Sequence, residues 1–285
     1  MKKHSPRSAL RIVCAITLAI APGPAIRATP APDVRLYTLD CGTLEIGDMS
    51  MFSDTGEHSG EKGMLAVPCY LIRHGRDWLL WDTGLGDRLA ALPNGETRLG
   101  GHWTVRRTLT SQLAALGLTP GDIRYVALSH MHADHSGNIG LFPRATWLIS
   151  PIELAWARDA PAPLGVDPSL IARLAKARIE PVADDRDVFG DGSVRILRAP
   201  GHTPGHKILL VTLPRSGAVA LSGDLFHSRD NYEKSLVPPV NVSRADTLAS
   251  FARFTRLVRN THARVVIQHA REDFAAMPAF PRYLD

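Results

Sequence analysis

Residues 129–138 read SHMHADHSGN and follow directly on the apolar run Tyr125–Leu128. Three histidines and one aspartate fall within six positions, at His130, His132, Asp134 and His135. A turn after a strand can direct several side chains toward one point, and neutral imidazole is the commonest protein ligand for zinc and neighbouring transition metals. Any one of these residues could simply solvate a surface loop, but four at this spacing favour a metal site.

Three further candidate ligands follow apolar runs later in the chain. They are His202 in APGHTPGH (199–206), Asp224 in SGD (222–224) and His269 in VVIQH (265–269). Strand ends on one side of a layered fold converge, so we expect these side chains to join the histidines of the quoted stretch.

The run His130-Met131-His132-Ala133-Asp134-His135 matches the HxHxDH signature of the metallo-β-lactamase superfamily, and the chain resembles that family over residues 34–285. Asp82-Thr83-Gly84 resembles the family's strand-end DTG. The resemblance implies an α+β fold, an αββα sandwich in which two mixed sheets pack face to face with helices outside. It also implies two bound metal ions, zinc or other divalent transition metals.

The resemblance divides the ligands between the two ions. One ion would be held by His130, His132 and His202, the other by Asp134, His135 and His269, with Asp224 between them. The donor chemistry agrees, since five imidazoles and two carboxylates can form two zinc sites that keep an open position for water. Asp82 is expected to accept an N–H from a ligating ring, although it could equally cap the turn that follows it.

Within the superfamily the chain most resembles the N-acyl-homoserine lactonases. The similarity rests on Pro68–Leu71, Ser129–Asn138, Pro200–His206 and Phe280–Leu284. It implies a metal-dependent hydrolase that opens the lactone ring of N-acyl-homoserine lactones, which is quorum quenching, through a hydroxide between the metals. The alternative is a broader arylesterase, organophosphate or other ester hydrolase of the same superfamily. A non-catalytic binding protein on this fold would lack a ligand, and none is missing.

Two residues are expected to act in catalysis. Asp134 is placed to shuttle the proton of the attacking water. His227 stands where many such lactonases have a tyrosine that reaches the substrate carbonyl, and imidazole can also donate a hydrogen bond. This departure from the family pattern leaves efficiency and substrate range open.

The segment GDMSMFSDTGEHSGEKG, residues 47–63, has no apolar period and predicts a long mobile loop. Met49, Met51 and Phe52 would give an acyl chain adaptable apolar contacts. They could equally be ordinary loop anchors.

The first 28 residues have the layout of a secretory signal peptide, with Lys2, Lys3, Arg7 and Arg11 ahead of the apolar run Ile12–Ala21. That run is shorter than the roughly 18 residues that a membrane span needs. We expect cleavage after Ala25 or Ala28, a periplasmic or secreted hydrolase domain over residues 29–285, and no membrane association after cleavage.

The chain of 285 residues has 33 basic and 28 acidic side chains, and five of the basic ones lie in the first 28 residues, which hold no acid. The mature chain therefore has a formal net charge of zero, which argues against a nucleic-acid partner. The expected partner is a small-molecule lactone or ester. The sequence leaves the oligomeric state open, a homodimer included.

Of the three cysteines, Cys14 lies in the signal segment, and Cys41 and Cys69 lie in or beside apparent strands. Export permits a disulfide between the latter two, but free cysteine is also a common core residue. Alternating apolar runs predict strands at 35–39, 67–73, 78–81, 146–149, 193–199, 207–212, 218–222 and 264–268, and helices at 105–116, 151–158, 168–177 and 245–259.

Overall fold

A computed structural model describes residues 1–2 and 33–285 of the chain. The expected signal peptide lies, apart from its first two residues, outside the described part. All elements given below belong to the unit Pro32–Asp285. Among the described residues, no helix has the length and apolar character needed to cross a membrane.

The described strands fall into two sheets. They are β1 (Val34–Ile46), β2 (Gly63–His74), β3 (Asp77–Trp81), β4 (Glu96–Arg98), β5 (Gly101–Thr104), β6 (Tyr125–Ala127), β7 (Thr146–Ile149), β8 (Arg178–Pro181), β9 (Arg186–Asp187), β10 (Val194–Arg198), β11 (Lys207–Leu213), β12 (Gly217–Leu221), β13 (Arg264–Val266) and β14 (Tyr283–Leu284). The larger sheet has the order β4-β5-β1-β2-β3-β6-β7-β8, with β14 also pairing with β1, and the smaller has the order β13-β12-β11-β10-β9. Both are mixed, because β3-β6-β7-β8 and β12-β13 are parallel and the remaining pairs antiparallel.

Helices connect and cover these strands. They are α1 (Leu109–Ala115), α2 (Ala133–Ser136), α3 (Pro151–Trp156), α4 (Pro168–Ile171), α5 (Arg229–Lys234), α6 (Arg244–Thr261) and α7 (Arg271–Ala276). Short 3₁₀ turns lie at Met49–Phe52, Asp87–Ala91, Pro120–Asp122, Ile139–Leu141, Ala172–Lys176 and Gly223–Leu225.

The pleat of the strands produces three core layers. Leu36, Ile72 and Trp81 of the larger sheet meet Ile196 and Leu209 of the smaller one between the sheets. Alternate residues point to the outer faces, where Leu71 and Leu80 pack with Leu113 of α1 and Leu210 packs with Phe251 and Phe254 of α6. The expected αββα sandwich is therefore confirmed.

The strand expected over 35–39 is much longer in the structure, Val34–Ile46, and the other main differences from the sequence-based elements concern helices and short strands. The helix expected from Val105 begins only at Leu109, because Thr108 caps it by accepting a hydrogen bond from the Ser111 N–H. The helix expected over 168–177 is one α-helical turn followed by a 3₁₀ turn. The hairpin β4-β5 and the helices α5 and α7 carried no clear periodic signal.

Cys41 and Cys69 form a disulfide, with their Cα atoms 5.7 Å apart. It joins β1 to β2, where a bulge interrupts the register between Asp40 and Thr43. Gly84 packs against this bond, since a Cβ at that position would lie 2.3 Å from the Cys41 Cβ and 3.2 Å from the Cys69 Sγ. The turn Asp82–Gly84, which follows β3, therefore packs against the disulfide.

Candidate metal centre

Both sheets contribute side chains to one site at the ends of their strands. The turn after β6 supplies the residues of the HxHxDH motif, the last of them in the short helix α2. The smaller sheet supplies His202 from the turn after β10, Asp224 from the 3₁₀ turn after β12 and His269 from the turn after β13. All seven predicted ligands are brought together.

The seven side chains form two groups, in each of which the potential ligand atoms lie within 4.8 Å of one another. The first group is His130, His132, His202 and Asp224, and the second group is Asp134, His135, His269 and Asp224. In the first, His132 Nδ1 and His202 Nε2 are 3.1 Å apart, and in the second, His135 Nε2 and His269 Nε2 are 3.3 Å apart. Two nitrogens bound to one tetrahedral zinc would be about 3.3 Å apart.

Asp224 belongs to both groups through different oxygens. Its Oδ1 lies 3.0 Å from His269 Nε2 and 3.1 Å from His135 Nε2. Its Oδ2 lies 3.5 Å from His202 Nε2 and 3.8 Å from His130 Nε2. One carboxylate thus faces the second group with one oxygen and the first group with the other.

The donor set fits divalent cations. Within the described residues, His130 Nε2 is buried and has no hydrogen-bond partner, which would cost about 1–3 kcal/mol in a site built only for hydrogen bonding. This atom lies within 4.8 Å of the other potential ligand atoms of the first group. Imidazole and carboxylate together suit zinc and related first-row metals.

Burial and mutual charge set the protonation of the site. Burial lowers the pKa of His130 and of His202 well below the usual histidine value, so both rings are neutral at pH 7. Burial would also lower the pKa of His135, but Asp224, Asp134 and Asp82 outweigh it and raise that pKa. Burial would raise the pKa of Asp224, but His269 and His135 outweigh it and keep the group a carboxylate. Ligand atoms must be deprotonated, so a cation bound by the second group would take the place of ring protons.

Hydrogen bonds on the far side of three ligand rings fix their orientation. The Nδ1 of His269 donates to the Ala66 carbonyl at 2.7 Å, and the Nδ1 of His202 lies 2.8 Å from Asn241 Oδ1. Ser129 Oγ lies 3.0 Å from the Nδ1 of His130. Such outer contacts set the tautomer and hold the other nitrogen toward the site.

Asp82 supports the ring of His135, a ligand of the second group. Its carboxylate accepts hydrogen bonds from the Ser129 N–H at 2.6 Å and from Gln268 Nε2 at 2.6 Å, and lies 2.9 Å from His135 Nδ1. The residue is fully buried with φ +58°, a region that few non-glycine residues adopt. The expected contact between Asp82 and a ligand ring is therefore present, and it is combined with local backbone strain of the kind found at functional sites.

Several residues of the site carried no sequence signal. Asn241 and Gln268 hold ligand rings or their partners but lie in no recognisable motif. His206 is the last residue of APGHTPGH (199–206), and its Nε2 accepts the backbone N–H of Asp224 at 2.9 Å. Their partners are distant in sequence, so only the folded chain reveals them.

An apolar cavity of about 670 Å³ opens above the metal centre. Leu44, Ile46, Leu65 and Trp103 of the larger sheet line one wall, and Val240 and Val242 line part of the mouth. His132, Asp134, His202, Asp224, His227 and His269 form its polar floor. The cavity therefore pairs a charged end with a long apolar body.

The 47–63 loop forms another wall of this cavity. Met51 and Phe52 line it, as expected from the sequence. Met49 does not, because it packs against Gly63 and the apolar cluster beneath the loop. Anchors hold the loop in place: the Asp54 N–H donates to the Val237 carbonyl at 2.8 Å, and Asn231 Nδ2 donates to the Phe52 carbonyl at 2.6 Å.

His227 lies beside Asp224 at the cavity floor. Its Nε2 is 3.2 Å from Asp224 Oδ2, and its ring stacks on Phe52 with the centroids 4.6 Å apart. The side chain is buried, and within the described residues its Nδ1 makes no hydrogen bond. An imidazole with spare hydrogen-bonding capacity thus borders the place where a substrate would meet the metals.

The sequence of this chain is similar to those of known N-acyl homoserine lactonases. The N-acyl homoserine lactonase AttM of Azorhizobium caulinodans is 32% identical over 268 residues, covering 89% of this chain and 99% of the relative. The N-acyl homoserine lactonase AiiA of Bacillus thuringiensis subsp. kurstaki is 27% identical, covering 88% and 98%.

Solved structures show the same architecture. An N-acyl homoserine lactone hydrolase with the product N-hexanoyl-L-homoserine bound at its catalytic metal centre superposes with a TM-score of 0.76 at 25% identity, covering 87% of this chain and 98% of that one. The sequence model of the metallo-beta-lactamase superfamily matches residues 63–269. With its sandwich of two mixed sheets and its paired histidine and aspartate groups, the chain belongs to the metallo-beta-lactamase superfamily.

Proposed function

We propose that this protein is a dinuclear metal-dependent hydrolase that opens the lactone ring of N-acyl-homoserine lactones. The observation that carries the proposal is the position of the two ligand groups on the floor of a deep apolar cavity. An N-acyl-homoserine lactone has the matching shape, with a polar ring and amide at one end and a hydrocarbon chain at the other. The names of the curated relatives support the same substrate class.

Each group would hold one metal ion. The first ion would be bound by His130, His132 and His202, the second by Asp134, His135 and His269, and Asp224 would share its two oxygens between them. We propose zinc, because imidazole and carboxylate ligands without thiolate suit it and because zinc held by four protein ligands can expand to five-coordinate, which would admit a water.

Bound divalent metals supply Lewis-acid polarisation of the carbonyl and a water of lowered pKa. The protein's own groups then direct the proton. Both Asp134 and Asp224 line the cavity, but the side chain of Asp134 is 15% exposed and that of Asp224 only 4%. Asp134 is therefore the carboxylate that can take a proton from the attacking water and return it to the ring oxygen as the carbon–oxygen bond of the lactone breaks.

His227 is proposed to donate a hydrogen bond to the oxygen on which negative charge develops. It borders Asp224, and its stacking on Phe52 fixes the plane of the ring. A donor that is already oriented stabilises the developing charge without reorganisation during the reaction.

Acid release from a panel of esters tests the proposal. The panel contains homoserine lactones with short and long acyl chains, a δ-lactone, an aryl ester, a β-lactam and a phosphotriester, each assayed with metal-loaded and chelator-treated protein. We expect the highest kcat/KM on acyl-homoserine lactones and loss of that activity on chelation. A higher kcat/KM on the aryl ester or the phosphotriester would instead favour the broader ester hydrolase.

A further inference from the structure

A buried carboxylate that does not line the cavity connects two of the ligand loops. Glu153 is the third residue of α3 and is only 2% exposed. Its Oε1 accepts a hydrogen bond from the Met131 N–H at 3.0 Å, and its Oε2 accepts one from the Gly205 N–H at 2.9 Å. Each oxygen thus serves a different loop.

The two donors belong to the loops that carry the first group. Met131 lies between the ligands His130 and His132 on the larger sheet. Gly205 belongs to the turn that begins with His202, on the smaller sheet. Its neighbour His206 accepts the backbone N–H of Asp224. One side chain therefore connects the two loops, in addition to the backbone hydrogen bond that the Lys207 N–H donates to the Ser129 carbonyl at 2.8 Å.

Local structure places the Glu153 side chain between the two loops. Ser150 caps α3 by accepting the Glu153 N–H, as expected of an S-x-x-E sequence. The Glu153 side chain, however, points away from the helix end toward Met131 and Gly205. Glycine is required at 205, because a Cβ there would lie 2.6 Å from both the backbone nitrogen and the Cβ of Glu153.

Only a carboxylate suits both partners. Met131 and Gly205 each present an N–H, and an ionised carboxylate offers an acceptor oxygen to each. A glutamine of the same shape would turn its NH₂ toward one of these donors and leave that buried N–H unpaired. Buried hydrogen bonds to a charged group contribute about 1.5–3 kcal/mol, so the link is strong enough to constrain both loops.

We propose that Glu153 is a positioning residue that sets the spacing of His130 and His132 against His202, and thereby the affinity of the first group for its metal. The proposal rests on the dinuclear centre proposed above, but it assigns Glu153 to only one of the two ions. The second group has its own support in Asp82 and Gln268, which Glu153 does not contact.

Chelator competition on metal-loaded Glu153→Gln protein tests the assignment. Combining this change with His269→Ala isolates the first group, and combining it with His132→Ala isolates the second. We expect the affinity of the first group for zinc to fall about 10- to 100-fold, as is usual when a residue supporting a ligand is replaced. The affinity of the second group should stay within twofold of the value measured without the Glu153 change.

Gln112→Glu is the matched control. Gln112 is 1% exposed, accepts a hydrogen bond from the Asp40 N–H and donates one to the Asp40 carbonyl, and neither residue belongs to a ligand loop. This change makes the reverse exchange, of amide for carboxylate, in another buried network and should destabilise the fold, but both metals should bind as in the unmodified protein. Wild-type zinc affinity of the first group in Glu153→Gln would overturn the proposal, and so would equal weakening of both groups.

A shorter carboxylate keeps the test decisive if Glu153→Gln does not fold. Glu153→Asp retains both acceptor oxygens but withdraws them by one methylene, so it should weaken the first group less than the glutamine variant. Wild-type affinity in Glu153→Asp, with Glu153→Gln unfolded, would show that Glu153 serves folding alone and would overturn the proposal. A wild-type protein that binds no second metal would instead refute the dinuclear centre itself.

Discussion

Asp224 is the side chain on which both metal groups depend. Its two oxygens face different groups, whereas each of the histidine ligands faces one. Loss of this carboxylate would remove one donor from each group and a negative charge from between two cations. A histidine variant removes a donor from one group only.

We therefore expect His132→Ala to lose mainly the first metal and His269→Ala mainly the second, while Asp224→Ala loses much of both. Elemental analysis of gel-filtered protein measures the metal content per chain. The unmodified protein, which should hold two metal ions per chain, is the reference. If a fully active preparation held only one metal ion per chain, the shared role of Asp224 would be wrong.

His227 should assist the reaction without being essential to it. Removal of a single oxyanion donor typically lowers the rate about 10²- to 10³-fold, and the metals should partly compensate. We expect kcat/KM on a homoserine lactone to fall in His227→Ala and to recover in His227→Tyr, because tyrosine keeps both a donor and the stacking on Phe52.

Both His227 variants must be compared at equal metal content, because His227 Nε2 also contacts Asp224. Equal kcat/KM values for the three proteins would show that His227 is only a packed residue of the cavity floor.

At the level of secondary structure, the sequence predicted best the strands and helices whose buried residues recur in a regular pattern. The strands that include Val194–Arg198 and Lys207–Leu213 were located within a residue or two, because an apolar strand between two layers leaves a continuous signal. Helix α5 was missed because Arg229–Lys234 is polar and owes its start to Ser228 and Asn231. The hairpin β4-β5 was missed because its short strands contain glycine and charge, and they form by pairing with β1.

The same reasoning explains why the metal ligands could be predicted from the sequence and the residues that support them could not. Four of the ligands lie within the dense motif 130–135, and the other three follow later apolar runs. Their residue types and spacing therefore predict them. Glu153 and Asn241 act on partners 22 and 39 positions away. Nothing in a linear sequence distinguishes such residues from ordinary polar ones.

The disulfide should stabilise the pairing of β1 with β2. Its cysteines are 28 positions apart, and closing a loop of that size in the unfolded chain contributes about 3–4 kcal/mol. We expect the double change Cys41→Ser and Cys69→Ser to lower the free energy of unfolding by about that amount. Urea unfolding followed by circular dichroism measures it, with chemically reduced unmodified protein as the control. Unfolding curves that coincide for the oxidised protein and the double variant would contradict this role.

At the scale of the whole molecule, we propose that the chain is exported and that residues 1–28 are removed. The disulfide supports this, since such bonds persist in oxidising compartments. N-terminal sequencing of the protein from the periplasm or medium should find a start near residue 26 or 29. A mature protein that begins at Met1 would refute both cleavage and the proposed location.

The metal centre also determines when the protein can become active. Its ligands extend from His130 to His269, so they are separated by more than half of the described chain and come from both sheets. No partial chain that ends before β13 contains both ligand groups in full. A polypeptide that has not yet been synthesised as far as His269 therefore lacks a complete metal centre. Under the proposed export, the complete metal centre would assemble only after transit and would take up the metals of the receiving compartment.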